Sequence, residues 1–193
     1  MNTLSCKNIF KVSDDFPNKL AKELRQYVYS VELQERYERG YNIVQFWYDS
    51  DPLLTYVIDF VQNSFEELSI LKFQQGWFFV YDSKCDGVNV HADPSSLNVN
   101  IWLTPNSSIE DWNKNGLIIY NVKHPESWSF EDYNEDTQKI EKFLKEENAQ
   151  EFTISYKYRR MTLFDSKYFH KTNGVHTKRG DSNKRINMTL LFS

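Results

Sequence analysis

Cysteine is scarce: the 193 residues hold only Cys6 and Cys85, at neither paired nor metal-type spacing. A disulfide framework is thereby excluded, and a reducing cytoplasm is the expected setting. Long apolar runs are also missing. The opening segment MNTLSCKNIFKVSDDF lacks the apolar stretch of a signal peptide, and nowhere does the chain reach the roughly 18 to 20 apolar residues of a membrane helix. A soluble protein with no membrane partner is expected. Nor is there an excess of positive charge: the net charge is −4 and the pI about 5.6. General nucleic-acid binding usually needs a basic footprint, so nucleic acid is not an expected partner.

What the chain does have is apolar and aromatic content, 40% and 16%, enough for a real core in one domain spanning 1–193. Lys7 to Val12 alternates like a short strand. SDDFP then supplies acidic, helix-starting residues before Leu20, Leu24 and Val28 recur at helical spacing. In DPLLTYVIDFVQNSFEEL the residues Leu54, Ile58, Val61, Phe65 and Leu68 form one stripe, with Pro52 suited to the first turn, which predicts a helix of about four turns. From Ile70 the character changes to short β-branched and aromatic runs: LKFQQGWFFVY, GVNVH, LNVNIWLTP, GLIIYNV, FTISYKYRRMTLF and RINMTLLF. Turn residues separate them, which suggests a β-sandwich or barrel. The expectation is mainly β: N-terminal helical support over 1–69 packed on a jelly-roll-like double sheet over 70–193. An acidic insertion at about 123–150 interrupts it, with DTQKIEKFLKEEN as a short helix.

Charge is uneven along the chain. From Tyr156 to Arg185 the bases Lys157, Arg159, Arg160, Lys167, Lys171, Lys178, Arg179, Lys184 and Arg185 face only Asp165 and Asp181. This is either a solvated surface or a local field that attracts an anionic ligand.

Chemistry centres on NVHADP. His91 and Asp93 are two apart, so in an extended strand both side chains leave the same face and can grip one ion. By itself that spacing is weak, since a His beside an Asp is commonly a surface hydrogen-bonded pair. The later His170, in FDSKYFHKTNG, strengthens it. Two imidazoles and one carboxylate on one side of a metal form the facial triad of non-haem Fe(II) oxygenases, which leaves three positions open. Two can take a keto acid and the third dioxygen. A structural zinc site would need a fourth protein ligand, and no cysteine or further histidine cluster offers one.

The last run supports the same interpretation. Arg185, Asn187 and Thr189 share one strand face, and Ile186, Met188 and Leu190 the other. A polar face there is either in water or lines a cavity for a dianion, where Arg185 can pair bidentately with a carboxylate and Thr189 can add a hydroxyl.

Taken in order, Tyr81, His91-Ala92-Asp93, LNVNIWLTP, LFDSKYFH ending in His170, and Arg185 with Thr189 resemble the 2-oxoglutarate and Fe(II)-dependent dioxygenase superfamily. More closely they look like its bacterial and phage branch related to prolyl-hydroxylase-like enzymes. The resemblance covers Trp77 to Phe192. It implies a cupin-like double-stranded β-helix, iron on His91, Asp93 and His170, and Arg185 on the C5 carboxylate of 2-oxoglutarate. It also implies that Tyr81, and less firmly Thr189, contact that co-substrate. A protein or peptide side chain is the substrate the resemblance favours. Oxidation of a free amino acid or other small molecule is the alternative.

Nucleic-acid demethylases of the superfamily end in Arg-X-Asn-X-Thr-X-Arg. Here Arg185, Asn187 and Thr189 match, but Leu191 stands where the second arginine would be. A zinc hydrolase would have no use for the arginine anchor and would need a general base that the sequence does not offer; a non-enzymatic ligand-binding barrel is told apart by the intact triad together with that anchor. His176 is a competing third ligand in what reads as a loop, and His124 reads as a loop residue. Asn98, Asn100 and Trp102 share a strand face and either line the pocket or meet water. Trp47, Trp77, Trp112 and Trp128 read as core or lid aromatics.

Overall fold

A computed structural model describes residues 9–33, 35–37 and 39–193. In chain order its elements are β1 (Phe10–Ser13), α1 (Asn18–Ser30), β2 (Glu35–Tyr37), β3 (Tyr41–Phe46), α2 (Pro52–Ser64), β4 (Phe73–Tyr81) and β5 (Lys84–Cys85). There follow β6 (Leu97–Trp102), β7 (Leu117–Lys123), α3 (Thr137–Glu146), β8 (Glu151–Ile154), β9 (Met161–Asp165), β10 (Tyr168–Thr172), β11 (Val175–His176) and β12 (Arg185–Phe192).

The polar/apolar alternation of β12 decides the architecture. Every residue of this strand is buried, so its two faces must meet different things. It lies in a seven-stranded sheet of order β1-β9-β6-β12-β4-β3-β2, antiparallel to β4 and β6 on either side. One face carries Ile186, Met188, Leu190, Phe78, Val99, Ile101 and Phe46, and packs on Leu20, Leu24 and Val28 of α1 and Leu54, Ile58 and Val61 of α2. Burying each such side chain contributes about 1.5–3 kcal/mol, and this layer is the main core. Gly76 of β4 is required by close approach: a Cβ there would lie 2.4 Å from the Phe46 ring.

The opposite face, with Tyr81, Asn98, Asn100, Arg185, Asn187 and Thr189, lines a cavity together with residues of a three-stranded sheet of order β10-β7-β8. The interleaving of strands between the two sheets is that of a double-stranded β-helix. Chain order alternates between them, β6 to β7 and β9 to β10, and β12 returns to the centre of the larger sheet.

Several local readings change in three dimensions. Lys7 and Asn8 lie outside the described residues, as does Cys6; the strand seen is Phe10–Ser13. Helix α1 begins after Pro17, which has no side-chain acceptor to cap it, and Asp14 is engaged with Arg160 and Lys157. Helix α2 starts as expected, with Asp51 accepting from the Leu53 amide at 2.7 Å and Pro52 in the first turn. It ends at Ser64, and Phe65 and Leu68 are buried beyond it through a 3-10 turn. The first 69 residues also carry β1, β2 and β3, which extend the large sheet. Residues 87–90 of GVNVH form no strand. Trp47 and Trp112 are 53% and 54% exposed, so neither is a core aromatic. No helix among the described residues is long and apolar enough to cross a membrane.

Candidate metal centre

His91 sits where the chain leaves the loop after β5, and only its own backbone joins the small sheet. Its N–H donates to His170 O at 3.0 Å, and the His170 N–H donates to His91 O at 2.8 Å. This reciprocal pair sets the two imidazoles side by side, with ring centres 4.3 Å apart. Asp93 is in irregular chain rather than on a strand; its N–H donates to Ser166 O at 3.0 Å. The expected extended-strand geometry is therefore replaced by a loop held at both ends, with the same result that both side chains point into one space.

The ligand-type atoms of His91, Asp93 and His170 lie within 4.8 Å of one another, and no other such group of three occurs among the described residues. His91 Nε2 is 3.6 Å from Asp93 Oδ1, and His170 Nε2 is 3.4 Å from Asp93 Oδ2. Each imidazole uses its other nitrogen on a backbone carbonyl two residues earlier: Nδ1 of His91 meets Asn89 O at 2.8 Å and Nδ1 of His170 meets Tyr168 O at 3.0 Å. A carbonyl can only accept, so both Nδ1 carry the proton and both Nε2 present lone pairs to the shared space. Burial, reinforced by the neighbouring His170 and only partly opposed by Asp93, pulls the His91 imidazole down to about 4. It is therefore neutral at neutral pH, as a metal ligand must be. Burial pushes Asp93 upward, but the neighbouring His170 and His91 and the amide of Asn98 hold it below the ordinary carboxylate value. Two imidazole nitrogens and one carboxylate oxygen, with no fourth protein donor among the described residues, suit a borderline divalent ion with open positions.

The acidic insertion backs this centre. Tyr133 O accepts from the Ala92 N–H at 2.9 Å, and Asn134 Nδ2 donates to Ala92 O at 2.8 Å, so the residue between the two candidate ligands is gripped from both sides. Val90, Ala92 and Phe169, which flank the histidines, pack with Ile140, Leu144, Trp128 and Phe143 of the insertion.

Farther along the same cavity, of about 540 Å³, stands Arg185, 2% exposed. Its Nε donates to Asn115 O at 3.0 Å and its Nη1 to Asn187 Oδ1 at 2.6 Å, and its guanidinium lies 4.7 Å above the Tyr81 ring. All these partners are neutral. A buried guanidinium with no carboxylate partner among the described residues is expensive to keep dry, so the site is poised for an anion. Tyr81 is opposite Arg185 in register and reaches Thr172 Oγ1 at 3.4 Å. Thr189 lines the cavity too, its hydroxyl accepting from Asn100 Nδ2 at 3.1 Å.

His91, Asp93, His170, Tyr81, Arg185 and Thr189 thus share one cavity. His176 does not; it stands 3.2 Å from Glu110. His124 stacks on Tyr133. Four of the eight bases between Tyr156 and Arg185 are paired with carboxylates: Arg160 and Lys157 with Asp14, Lys171 with Glu151 and Lys184 with Asp181. Sequence reasoning missed Thr172, although it lies one strand period after His170, and Asn134, whose partner is a backbone atom.

No protein-family model and no curated protein sequence matches the chain. Solved structures do. The chain has the fold of 2-oxoglutarate and Fe(II)-dependent dioxygenases, the double-stranded β-helix. It is similar to HygX from Streptomyces hygroscopicus, solved with nickel and 2-oxoglutarate, at TM-score 0.66 and 9% identity over 97% of this chain and 84% of that one. A Pseudomonas putida prolyl-4-hydroxylase gives 0.59 and 13% over 97% and 93%. The non-haem α-ketoglutarate-dependent epimerase SnoN gives 0.69 and 10% over 97% and 79%.

Proposed function

We propose that the protein is a 2-oxoglutarate-dependent non-haem Fe(II) dioxygenase, with iron on His91, Asp93 and His170 and the far carboxylate of 2-oxoglutarate on Arg185. The observation that carries this reading is the pairing, in one cavity, of an open N,N,O donor set with a buried guanidinium whose own partners are all neutral. Bound Fe(II) supplies the redox chemistry, coupling decarboxylation of 2-oxoglutarate to succinate and CO2 with oxidation of a substrate by dioxygen. The chain's own residues do the rest. The two Nδ1 hydrogen bonds keep both imidazoles in the ligating tautomer. Asn187 and the Asn115 carbonyl hold the Arg185 fork in one orientation, so little side-chain freedom is lost when a carboxylate docks. Tyr81 and Thr189 complete the co-substrate wall.

For the substrate, a protein or peptide side chain is the favoured class. The likeness to a prolyl-4-hydroxylase supports it, as do the exposed rings of Tyr37 and Phe130 on the cavity wall. A small molecule is the second reading, favoured by a HygX structure holding hygromycin B. The test is succinate formation from 2-oxoglutarate with Fe(II) and air, against a panel of peptides, amino acids and polar small molecules. Fe(II)-dependent succinate, absent from His170→Ala, is expected. Zinc-dependent hydrolysis with no succinate under any condition would replace the proposal.

A further inference from the structure

We propose that Asn98 is a positioning residue for the metal centre: it ties down one oxygen of Asp93 so that the carboxylate offers a single oxygen to the ion. This rests on the functional reading above. Asn98 Nδ2 donates to Asp93 Oδ2 at 2.6 Å, in a pair whose members are 0% and 8% exposed. The backbone of Asp93 is fixed by Ser166, but that bond leaves its side chain free to turn. Its two oxygens face the two imidazoles at nearly equal distances, 3.6 and 3.4 Å. Nothing in the histidines therefore chooses between them. Asn98 does: an oxygen that accepts a short amide hydrogen bond is the weaker donor to a cation, so Oδ1 is left as the ligand. A carboxylate that used both oxygens would fill one of the positions needed by the co-substrate and dioxygen.

The remainder of Asn98 points the same way. It lies on β6 in the interior of the large sheet, between Leu191 and Phe164 in register. Its Oδ1 is buried with no hydrogen-bond partner among the described residues. Leaving an amide oxygen unpaired and dry is destabilising, and an apolar residue would fill the place without that penalty. The neighbouring Asn100 behaves differently, bonding within the sheet to Asn187 and Thr189 through both ends of its amide. Packing accounts for Asn100; Asn98 is explained by its grip on Asp93.

The experiment uses Co(II) alone as the probe, without co-substrate, on wild type, Asn98→Leu and His170→Ala. The visible absorption of bound Co(II) reports its coordination number independently of turnover. Asn98→Leu is expected to bind Co(II) roughly 10- to 100-fold more weakly and with a changed spectrum, while the metal-free variant stays folded, the loss of the Asp93 partner being offset by removal of the unpaired Asn98 oxygen. The same affinity and spectrum in Asn98→Leu as in wild type overturns the proposal and leaves the functional reading standing. Failure of wild type to bind Co(II), or full binding by His170→Ala, overturns both. If Asn98→Leu does not fold, the wild-type side-chain amide decides. Its proton on Asp93 should resist solvent exchange in the NMR spectrum and broaden on adding Mn(II); rapid exchange overturns the proposal.

Discussion

The backbones of His91 and His170 bond to each other in both directions, so the two imidazoles of the candidate centre are set by one pair of main-chain hydrogen bonds between distant parts of the chain. The centre is therefore a property of the folded small sheet, and the ion should report on folding.

Metal binding should vanish with any one member of the triad. His91→Ala, Asp93→Ala and His170→Ala are each expected to lose tight Mn(II) binding, measured by electron paramagnetic resonance of free Mn(II), whereas His176→Ala retains it. Retention in His91→Ala with loss in His176→Ala would mean the wrong histidine has been assigned.

Divalent metal should also stabilise the fold, because the ligand set is assembled only in the native state. At a Mn(II) concentration about 100 times its dissociation constant the expected gain is about 2.7 kcal/mol, read as a higher thermal midpoint that EDTA reverses. No gain in wild type, or an equal gain in His170→Ala, would remove the link between ion and triad.

How much of this was legible in the sequence depends on range. The helical stripes of α1 and α2, the two-faced β12 and the order Tyr81, His91, Asp93, His170, Arg185 are local patterns, and the spacing of side chains carries them directly. Asp14 was not legible: it reads as a helix-starting acid, yet its partner Arg160 lies 146 positions away. Strand β3 was missed because YNIVQF sits between two helices and finds its role only by pairing with β4. The role of Asn98 also needs three dimensions, since an Asn on a strand face reads equally well as solvent-exposed.

Asp14 gives a prediction with a defined pH window. Hydrogen bonding from Arg160, aided by Lys157 and opposed by partial burial, lowers its carboxyl to about 2 from the ordinary 3.8. A carboxyl depressed on folding stabilises the native state above about pH 4, and that contribution fades as pH falls toward 2. Asp14→Asn is expected to lower stability by about 1 kcal/mol at pH 7, the side chain being partly exposed. In urea unfolding the gap to wild type should narrow between pH 4 and pH 2; a gap unchanged over that range would exclude the ion pair as its source.

Leu24, fully buried between α1 and the large sheet, tests the core. Leu24→Ala is expected to be destabilising by about 2–5 kcal/mol in urea unfolding, without changing Mn(II) affinity at temperatures where the protein is folded. Loss of metal affinity in the folded variant would show that the helical layer and the cavity are not energetically separate.

The central claim is that one cavity holds a metal at one end and a dicarboxylate anchor at the other, and a pair of titrations on Arg185→Ala tests it most directly. Mn(II) should bind the variant as it binds wild type, since Arg185 is not a ligand. The 2-oxoglutarate titration of the Mn(II)-loaded variant should then be weaker by roughly two orders of magnitude or more, as follows from removing one partner of a buried charge pair, with Arg185→Lys recovering only part of it. Unchanged affinity for both would contradict the account, leaving the buried arginine without a ligand and the co-substrate assignment without its anchor.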